Sequence, residues 1–227
     1  MNIFEEISKY LNHHETVNII ISGVSCSGKS TLAKKLQKDF GNRYEITVVE
    51  QDEYFKNLSD IPRITLGYLT DSIEAFHSDE FKKDVQKLLI ENVAIMPKYD
   101  IATNTRISKN KIVRKGKINI FEGLHTINLL KDLEDSIKIF VDTDINTCIK
   151  RRIDRDTTNF NVPEEINRKN YFDYYNLDLE KQLVRDFISD YLDNDIDYTV
   201  TGLPVRADLL KMHACAGNGF RRLTAHE

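Results

Sequence analysis

A short segment that begins at Gly23 has the residue types and the spacing needed to bind phosphate. Its sequence, GVSCSGKS, matches the pattern GxxxxGK[ST], in which successive backbone N–H groups surround a phosphate group. Gly23 and Gly28 provide the backbone freedom that such a loop requires. Lys29 would place a positive charge on the β- and γ-phosphates, and the Ser30 hydroxyl would ligate Mg²⁺. The segment therefore predicts a site for the phosphates of a nucleotide.

Two carboxylates, Asp52 and Glu122, stand at the carboxyl ends of predicted strands. In doubly wound sheets, ligands bind outside these strand ends, so both carboxylates would face the phosphate loop. Asp52 would accept the proton of an acceptor hydroxyl, and the alternative is an ordinary turn residue. Glu122 would ligate a metal ion directly or through water, and the alternative is a helix-capping acid.

Alternating strands and helices would position these groups. Short apolar runs rich in β-branched residues predict buried strands at Val17–Ser22, Ile46–Glu50, Lys117–Glu122 and Ile137–Val141. Apolar residues at helical spacing predict a helix through Leu36 that Gly41 ends, a helix with Ser78 as its N-cap, and a helix around Cys148. This alternation is typical of an α/β domain, in which helices cover both faces of a parallel sheet.

The composition excludes several other classes of protein. The 227 residues include 32 Lys and Arg against 36 Asp and Glu, for a formal net charge of −4. This balance lacks the positive field of nucleic-acid-binding proteins, so we expect no nucleic-acid partner. The 3 Cys at wide spacing predict a reduced, cytoplasmic protein. The acidic N-terminus and the short apolar stretch Ile19–Ile21 predict neither export nor a membrane partner.

We expect a single domain over residues 1–201, interrupted at two places. Residues 57–114 separate two predicted strands and would build the site of an acceptor; they contain the Ser78 helix and short extended pieces around Ile95–Tyr99 and Lys111–Arg114. Residues 157–163, between two helical segments, would form a mobile lid. Residues 202–227 contain no Ile and would be a divergent or non-native C-terminal tail.

The chain resembles the uridine kinase and phosphoribulokinase group of P-loop kinases, and within it most closely the uridine kinases. The resemblance covers about residues 17–200. It rests on the motifs GVSCSGKST from Gly23, QDEYFK from Gln51, MPKYDIATNTR ending at Arg106, FEGLH from Phe121 and FVDTDINTCIKRRIDRD from Phe140. It implies a P-loop NTPase fold with a five-stranded parallel sheet, a small acceptor-binding insertion, a lid and an oligomer of the chain.

The resemblance also implies what the individual residues do. The implied reaction transfers the γ-phosphoryl group of ATP or GTP to the 5′-hydroxyl of a nucleoside, with Asp52 as the general base and Ser30 and Glu122 as Mg²⁺ ligands. The implied catalytic residues are Asp52, Lys29, Arg152 and Arg155. The implied nucleotide contacts are Gly23, Ser25, Cys26, Ser27, Gly28, Lys29, Ser30, Thr31 and Arg151. The implied acceptor contacts are Asp71, Tyr99, Asn104 and Arg106.

The segment that carries Arg151, Arg152 and Arg155 matches the basic helix of this family that leads into the lid. The residues themselves agree with this interpretation, because arginines beside an apolar helix face suit a charge clamp on a transferring phosphoryl group. The alternative for any one of these arginines is a solvated helix face.

The chain departs from the family pattern where the acceptor is recognised. Asn104 stands where the family has a histidine that contacts the pyrimidine, although Asn can still donate and accept hydrogen bonds. Residues 157–162 carry no positive charge where uridine kinases have an arginine pair, and Ser72 and Ile73 replace a His-Pro pair. Uridine or cytidine is the leading acceptor; nicotinamide riboside or a sugar phosphate is the alternative. A regulatory P-loop NTPase and a catalytically silent binding protein are the rival functions.

Overall fold

A parallel sheet forms the centre of the protein. The structure, a computed structural model, describes residues 3–61, 63–64, 67–68, 70–160, 198–201, 213–214 and 222–223. The parallel strands lie side by side in the order β2 (Ile46–Glu50), β7 (Ile118–Glu122), β1 (Val17–Ser22), β8 (Ser136–Asp142) and β9 (Tyr198–Thr201). The predicted α/β fold with a parallel sheet is confirmed, and the strands predicted from apolar runs agree with β1, β2, β7 and β8 within a residue at each end.

The central strand β1 is buried along its whole length because both faces of the sheet are covered. Successive side chains of a strand point to opposite faces. Ile19 and Ile21 accordingly belong to one apolar core, which also contains residues of α1 (Ile3–His13) and α2 (Lys29–Phe40). Ile20 belongs to a second core on the other face, with residues of α3 (Ser78–Glu91) and α4 (Thr126–Leu129).

Helix α2 is the predicted helix that follows the phosphate loop. Leu32, Leu36 and Phe40 are buried on its sheet-facing side, and Gly41 is its C-cap, as expected. Helix α1 was not predicted. Its buried residues Ile3, Ile7 and Leu11 recur every fourth position, which is the spacing of an amphipathic helix.

Two short strands extend the sheet beyond β9. Strands β10 (His213–Ala214) and β11 (Arg222–Leu223) both pair with β9 and with each other. Both come from the predicted tail, residues 202–227, whose other residues lie outside the part of the chain that the structure describes.

Residues 57–114 fold into elements of their own. They contain a short pair of strands, β3 (Arg63–Ile64) and β4 (Gly67–Tyr68), then α3, and then a hairpin of β5 (Val93–Asp100) and β6 (Thr105–Arg114). The hairpin is longer than the extended pieces predicted from sequence. The register of the hairpin shifts between Met96 and Lys98. This irregularity interrupts the alternation of side chains between the two faces from which full strands could have been predicted.

The predicted N-cap of α3 is wrong by one residue. The cap is His77, and Ser78 is the first residue of the helix. The Ser78 hydroxyl donates to the Ile73 carbonyl oxygen at 3.4 Å, and the His77 carbonyl accepts the first hydrogen bonds of the helix from Glu80 and Phe81.

Helix α5 (Ile145–Phe160) carries the arginines and continues into the predicted lid. Residues 157–160 of that lid are helical, and residues 161–163 lie outside the described residues. No helix in the described ranges is both long enough and apolar enough to cross a membrane.

Replacing Leu36 tests the packing of α2 on the sheet. Leu36 is fully buried, so Leu36→Ala should lower the free energy of unfolding by about 2–5 kcal/mol through lost apolar contacts and a cavity. Urea denaturation measures this change. The matched control is Lys38→Ala on the exposed side of the same helix, which should change stability by less than about 0.5 kcal/mol. Equal effects of both variants would contradict the packing described for α2.

Candidate active site

The phosphate loop connects β1 to α2 and has an unusual backbone. Gly23 has φ of 154°, Cys26 of 60° and Gly28 of 111°, all in the region that favours glycine. A Cβ atom on Gly23 would lie 2.6 Å from the Val141 carbonyl oxygen, so a larger residue does not fit there. Helix α2 begins at Lys29, directly after the loop, so its N-terminal N–H groups and its dipole favour an anion at this place.

Lys29 and two side chains from neighbouring elements hold the loop in shape. Lys29 is buried, and its Nζ donates to the Val24 carbonyl oxygen at 2.9 Å. Thr143, which follows β8, donates its hydroxyl to the Ser27 carbonyl oxygen at 2.8 Å. The Arg151 guanidinium on α5 donates to the Cys26 and Ser27 carbonyl oxygens, both at 3.4 Å. The structure therefore brings Arg151, an implied nucleotide contact, to the loop.

Ser30 and Glu122, the two predicted metal ligands, lie in contact with each other. The Ser30 hydroxyl donates to Glu122 Oε1 at 2.7 Å. Glu122 is 5% exposed, and burial raises the pKa of its carboxyl to about 7, while Lys29 and the Ser30 hydrogen bond oppose this shift. A carboxylate and a hydroxyl are oxygen ligands of the kind that Mg²⁺ prefers, so the residues fit this ion. The described residues contain no cluster of three or more His, Cys, Asp or Glu side chains able to hold a metal.

Asp52 lies on a single 3-10 turn, Gln51–Tyr54, which follows β2 directly and is called the Asp52 turn below. Desolvation by the surrounding protein raises the pKa of the Asp52 carboxyl, and the charge of Lys29 opposes this increase. The residue as a whole is exposed, whereas its carboxyl group is surrounded by protein, which disfavours the charged form. A carboxyl group with a raised pKa that interacts with the charge of Lys29 is suited to accept a proton.

Asp71 is held against the arginine helix. Its Oδ2 pairs with Arg152, whose guanidinium also donates to the Thr70 hydroxyl at 3.4 Å. The Asp71 carbonyl oxygen accepts from His125 Nε2 at 3.0 Å. Arg155 instead pairs with Asp156 on its own helix at 2.7 Å. Of the predicted clamp, Arg151 therefore contacts the phosphate loop and Arg152 contacts the predicted acceptor residue.

The other predicted acceptor residues lie on the hairpin. The Tyr99 ring lies 5.4 Å from the Phe55 ring, and Phe55 in turn contacts Phe76. Asn104 is exposed in the hairpin turn with φ of 52°, and its carbonyl oxygen accepts from the Leu58 N–H at 3.2 Å. The Arg106 guanidinium pairs with Glu80 of α3 at 2.6 Å.

Gln51 was missed in the sequence. It is fully buried, and its Oε1 accepts from the His125 N–H at 2.8 Å, which joins the Asp52 turn to the residues after β7. A Cβ atom on Gly123 would lie 2.3 Å from the Gln51 Cβ, so a larger residue at Gly123 would push the two turns apart. A polar residue directly before the candidate base was the available signal for Gln51. Thr143, also missed, had no such signal because its contact with Ser27 joins residues 116 positions apart in the chain.

His125 makes the stability of the folded protein depend on pH. Burial lowers the pKa of its imidazole, so the folded protein keeps this group neutral at pH values where the unfolded chain binds a proton. The stability that this group contributes is present above its unfolded pKa of 6.5 and is lost as the pH falls through that value towards the lower folded pKa.

Urea denaturation between about pH 7 and pH 5 measures this effect, since the unfolded pKa of histidine lies in that range. His125→Gln should show a smaller loss of stability on acidification than the wild type. His13→Gln, at the exposed end of α1, is the matched control and should keep the wild-type pH dependence. An unchanged pH dependence in His125→Gln would contradict the burial of a neutral imidazole.

The strand, the phosphate loop and the helix, with carboxylates at the ends of β2 and β7, define a P-loop phosphotransferase fold. The model of the phosphoribulokinase / uridine kinase family matches residues 18–160. The chain is 34% identical over 148 residues to the uridine kinase of Ligilactobacillus salivarius, covering 63% of this chain and 68% of that protein. It is 37% identical over 145 residues to the uridine kinase of Geobacillus sp., covering 62% and 67%.

Among solved structures, the fold is similar to that of a protein assigned as a fructose transport system kinase from Silicibacter sp. TM1040. The TM-score is 0.60 at 17% identity, covering 74% of this chain and 86% of that one, which supports the fold alone. The chain belongs to the phosphoribulokinase / uridine kinase family. This membership places it among enzymes that transfer a phosphoryl group to an alcohol group and supports, at family level, a nucleoside kinase. A P-loop kinase family implies the use of ATP and Mg²⁺. The aligned segments span about two thirds of the length of the relatives.

Proposed function

We propose that this protein transfers the γ-phosphoryl group of ATP to the 5′-hydroxyl of a pyrimidine nucleoside, uridine or cytidine. The observation that carries this proposal is the meeting of three groups at one edge of the sheet: the phosphate loop, the Ser30–Glu122 pair and the exposed Asp52. A binding module would need the loop, but it would not need a second carboxylate, after β2, that interacts with the charge of Lys29.

The residues present supply the main requirements of phosphoryl transfer. The loop N–H groups and Lys29 would bind the phosphates. Arg152 and Arg155, which pair with Asp71 and Asp156 in this structure, would stabilise the charge that develops on the transferring group. Asp52 accepts the proton of the attacking hydroxyl while the hydroxyl oxygen forms a bond to the γ-phosphorus. The bond between the γ-phosphorus and the β–γ bridging oxygen breaks, and ADP is the leaving group. Mg²⁺, when bound, neutralises phosphate charge beside Ser30 and Glu122.

The acceptor would lie between the Asp52 turn and the hairpin. Asp71 and Tyr99 would line this region; Arg152 holds the first, and the second lies beside Phe55. An acid that binds ribose hydroxyls and an aromatic ring that stacks on a base together suit a nucleoside better than an open-chain sugar phosphate. The relatives with about 35% identity are uridine kinases, which supports the pyrimidine assignment.

An acceptor panel tests the substrate. ADP release should follow the addition of uridine or cytidine, with one nucleoside monophosphate formed for each ADP. The panel includes nicotinamide riboside and a sugar phosphate as the alternative acceptors, and each reaction is run with ATP and with GTP. Transfer to nicotinamide riboside without transfer to uridine or cytidine would overturn the pyrimidine assignment. Hydrolysis that no acceptor stimulates would support the regulatory NTPase instead.

Asp52→Asn tests the proposed base. The variant keeps the shape of the side chain but removes the proton acceptor, so kcat for transfer should fall by about 10²–10⁴-fold while nucleotide affinity stays unchanged. Lys29→Met is the contrasting variant, because losing a charged hydrogen-bond donor to phosphate should weaken nucleotide binding by about tenfold or more. Calorimetry measures the affinities. Transfer by Asp52→Asn at the wild-type rate would show that Asp52 is not the base.

A further inference from the structure

Three of the four residues of the Asp52 turn are anchored to three different parts of the protein. Gln51 binds the backbone of His125 after β7, Glu53 binds the backbone of Tyr99 in β5, and the Tyr54 hydroxyl donates to Asp84 of α3. Asp52 is the exposed member of the turn. The neighbours of Asp52 in sequence therefore set its position, because each of them binds a different part of the protein around the site.

Glu53 is the neighbour that faces the hairpin. Its Oε2 accepts from the Tyr99 backbone N–H at 2.6 Å, and its Oε1 lies 3.6 Å from Lys111 Nζ on the opposite strand. One carboxylate thus contacts both strands of the hairpin. Its side chain is 18% exposed, whereas that of Lys111 is 43% exposed. A short hydrogen bond from an N–H to a half-buried carboxylate is stronger than a solvent-exposed ion pair at 3.6 Å, so the contact with Tyr99 is the dominant one.

The contact falls where the hairpin is least regular. The register of the hairpin shifts between Met96 and Lys98, directly before Tyr99. An irregularity of this kind bends a strand and re-aims the side chains beside it. The Glu53 hydrogen bond fixes the strand on the far side of this bend, at the residue whose ring lies beside Phe55. The direction of the Tyr99 ring thus depends on a carboxylate next to Asp52 in sequence.

We propose that Glu53 is a positioning residue that sets the hairpin, and with it the acceptor bound beside Tyr99, at the distance from Asp52 that phosphoryl transfer requires. This inference rests on the proposed function, since it assumes that the acceptor lies between Tyr99 and Asp52. Glu53 does not contact the reacting atoms. It acts through the backbone of Tyr99, so its loss should impair the placing of the acceptor and leave the nucleotide site intact.

The experiment compares Glu53→Ala, Glu53→Gln and Lys111→Met with the wild type in the full-length chain, using the best acceptor of the panel. Glu53→Ala should lower kcat/KM for the acceptor by about 10–100-fold, since a displacement of about 1 Å has an effect of this size. Its nucleotide affinity should stay at the wild-type value. The fraction of ATP hydrolysed without transfer should rise, because water can replace a misplaced hydroxyl.

The other variants separate positioning from general stability. The Gln side chain can still accept from the Tyr99 N–H, so Glu53→Gln should restore most of the coupled transfer. Lys111→Met removes the ion pair alone and should keep the coupling of the wild type. Overturning results are a Glu53→Ala enzyme with wild-type coupling, a failure of Glu53→Gln to rescue, or an equal loss in Lys111→Met.

Hydrogen exchange of the Tyr99 amide distinguishes this inference from the proposed function. Exchange should be faster in Glu53→Ala than in the wild type and should be slow again in Glu53→Gln. If the wild type transfers phosphate to no acceptor of the panel, the proposed function fails and the role of Glu53 in placing the acceptor fails with it, while the exchange rates still show whether Glu53 holds the hairpin. If transfer occurs but Tyr99 exchanges equally in all variants, the inference about Glu53 alone is overturned.

Discussion

The parallel register of β1, β7 and β2 is the constraint on which the site depends. Ile21 of β1 and Glu50 of β2 both lie opposite Glu122 of β7, so the three strands end at the same level. The phosphate loop, Glu122 and the Asp52 turn must therefore meet at one edge of the sheet. This meeting crowds carboxylates together. Burial and the neighbouring acids Asp52 and Glu50 raise the pKa of Glu122 to about 7 even though Lys29 and Ser30 oppose the shift. The acids at this edge favour a positive charge beside Glu122, and the charge of Lys29 favours phosphate beside it.

Local patterns in the sequence predict much of the fold. β1 and β7 are short, fully buried and rich in β-branched residues, and the phosphate loop has a motif whose spacing admits few other structures. Only parts of the two hairpin strands were predicted. The register of the hairpin shifts between Met96 and Lys98, so its strands do not follow one regular pattern along their whole length. Helix α1 could have been predicted in the same way, because Ile3, Ile7 and Leu11 have the spacing of an amphipathic helix.

The predicted site also contains residues that local sequence places and contacts that only the structure shows. Residues within the loop and at the strand ends follow from local sequence, because a motif and a strand end determine where they lie. Contacts between Asp71 and Arg152, or between Glu53 and Tyr99, join residues far apart in the chain. They depend on how residues 57–114 fold over the edge of the sheet, which neither periodicity nor composition determines. The contacts that hold the acceptor region in place are thus the ones that only the structure provides.

In-line phosphoryl transfer requires Asp52 and the phosphate loop to lie on opposite sides of the transferring phosphoryl group. A crystal structure of the protein with a non-hydrolysable ATP analogue, Mg²⁺ and uridine would show this arrangement. We expect the triphosphate to lie within residues 23–30 and the 5′-hydroxyl oxygen to lie about 2.6–3.2 Å from an Asp52 carboxylate oxygen. A triphosphate bound in the loop with the 5′-hydroxyl directed to a group other than Asp52 would contradict this expectation.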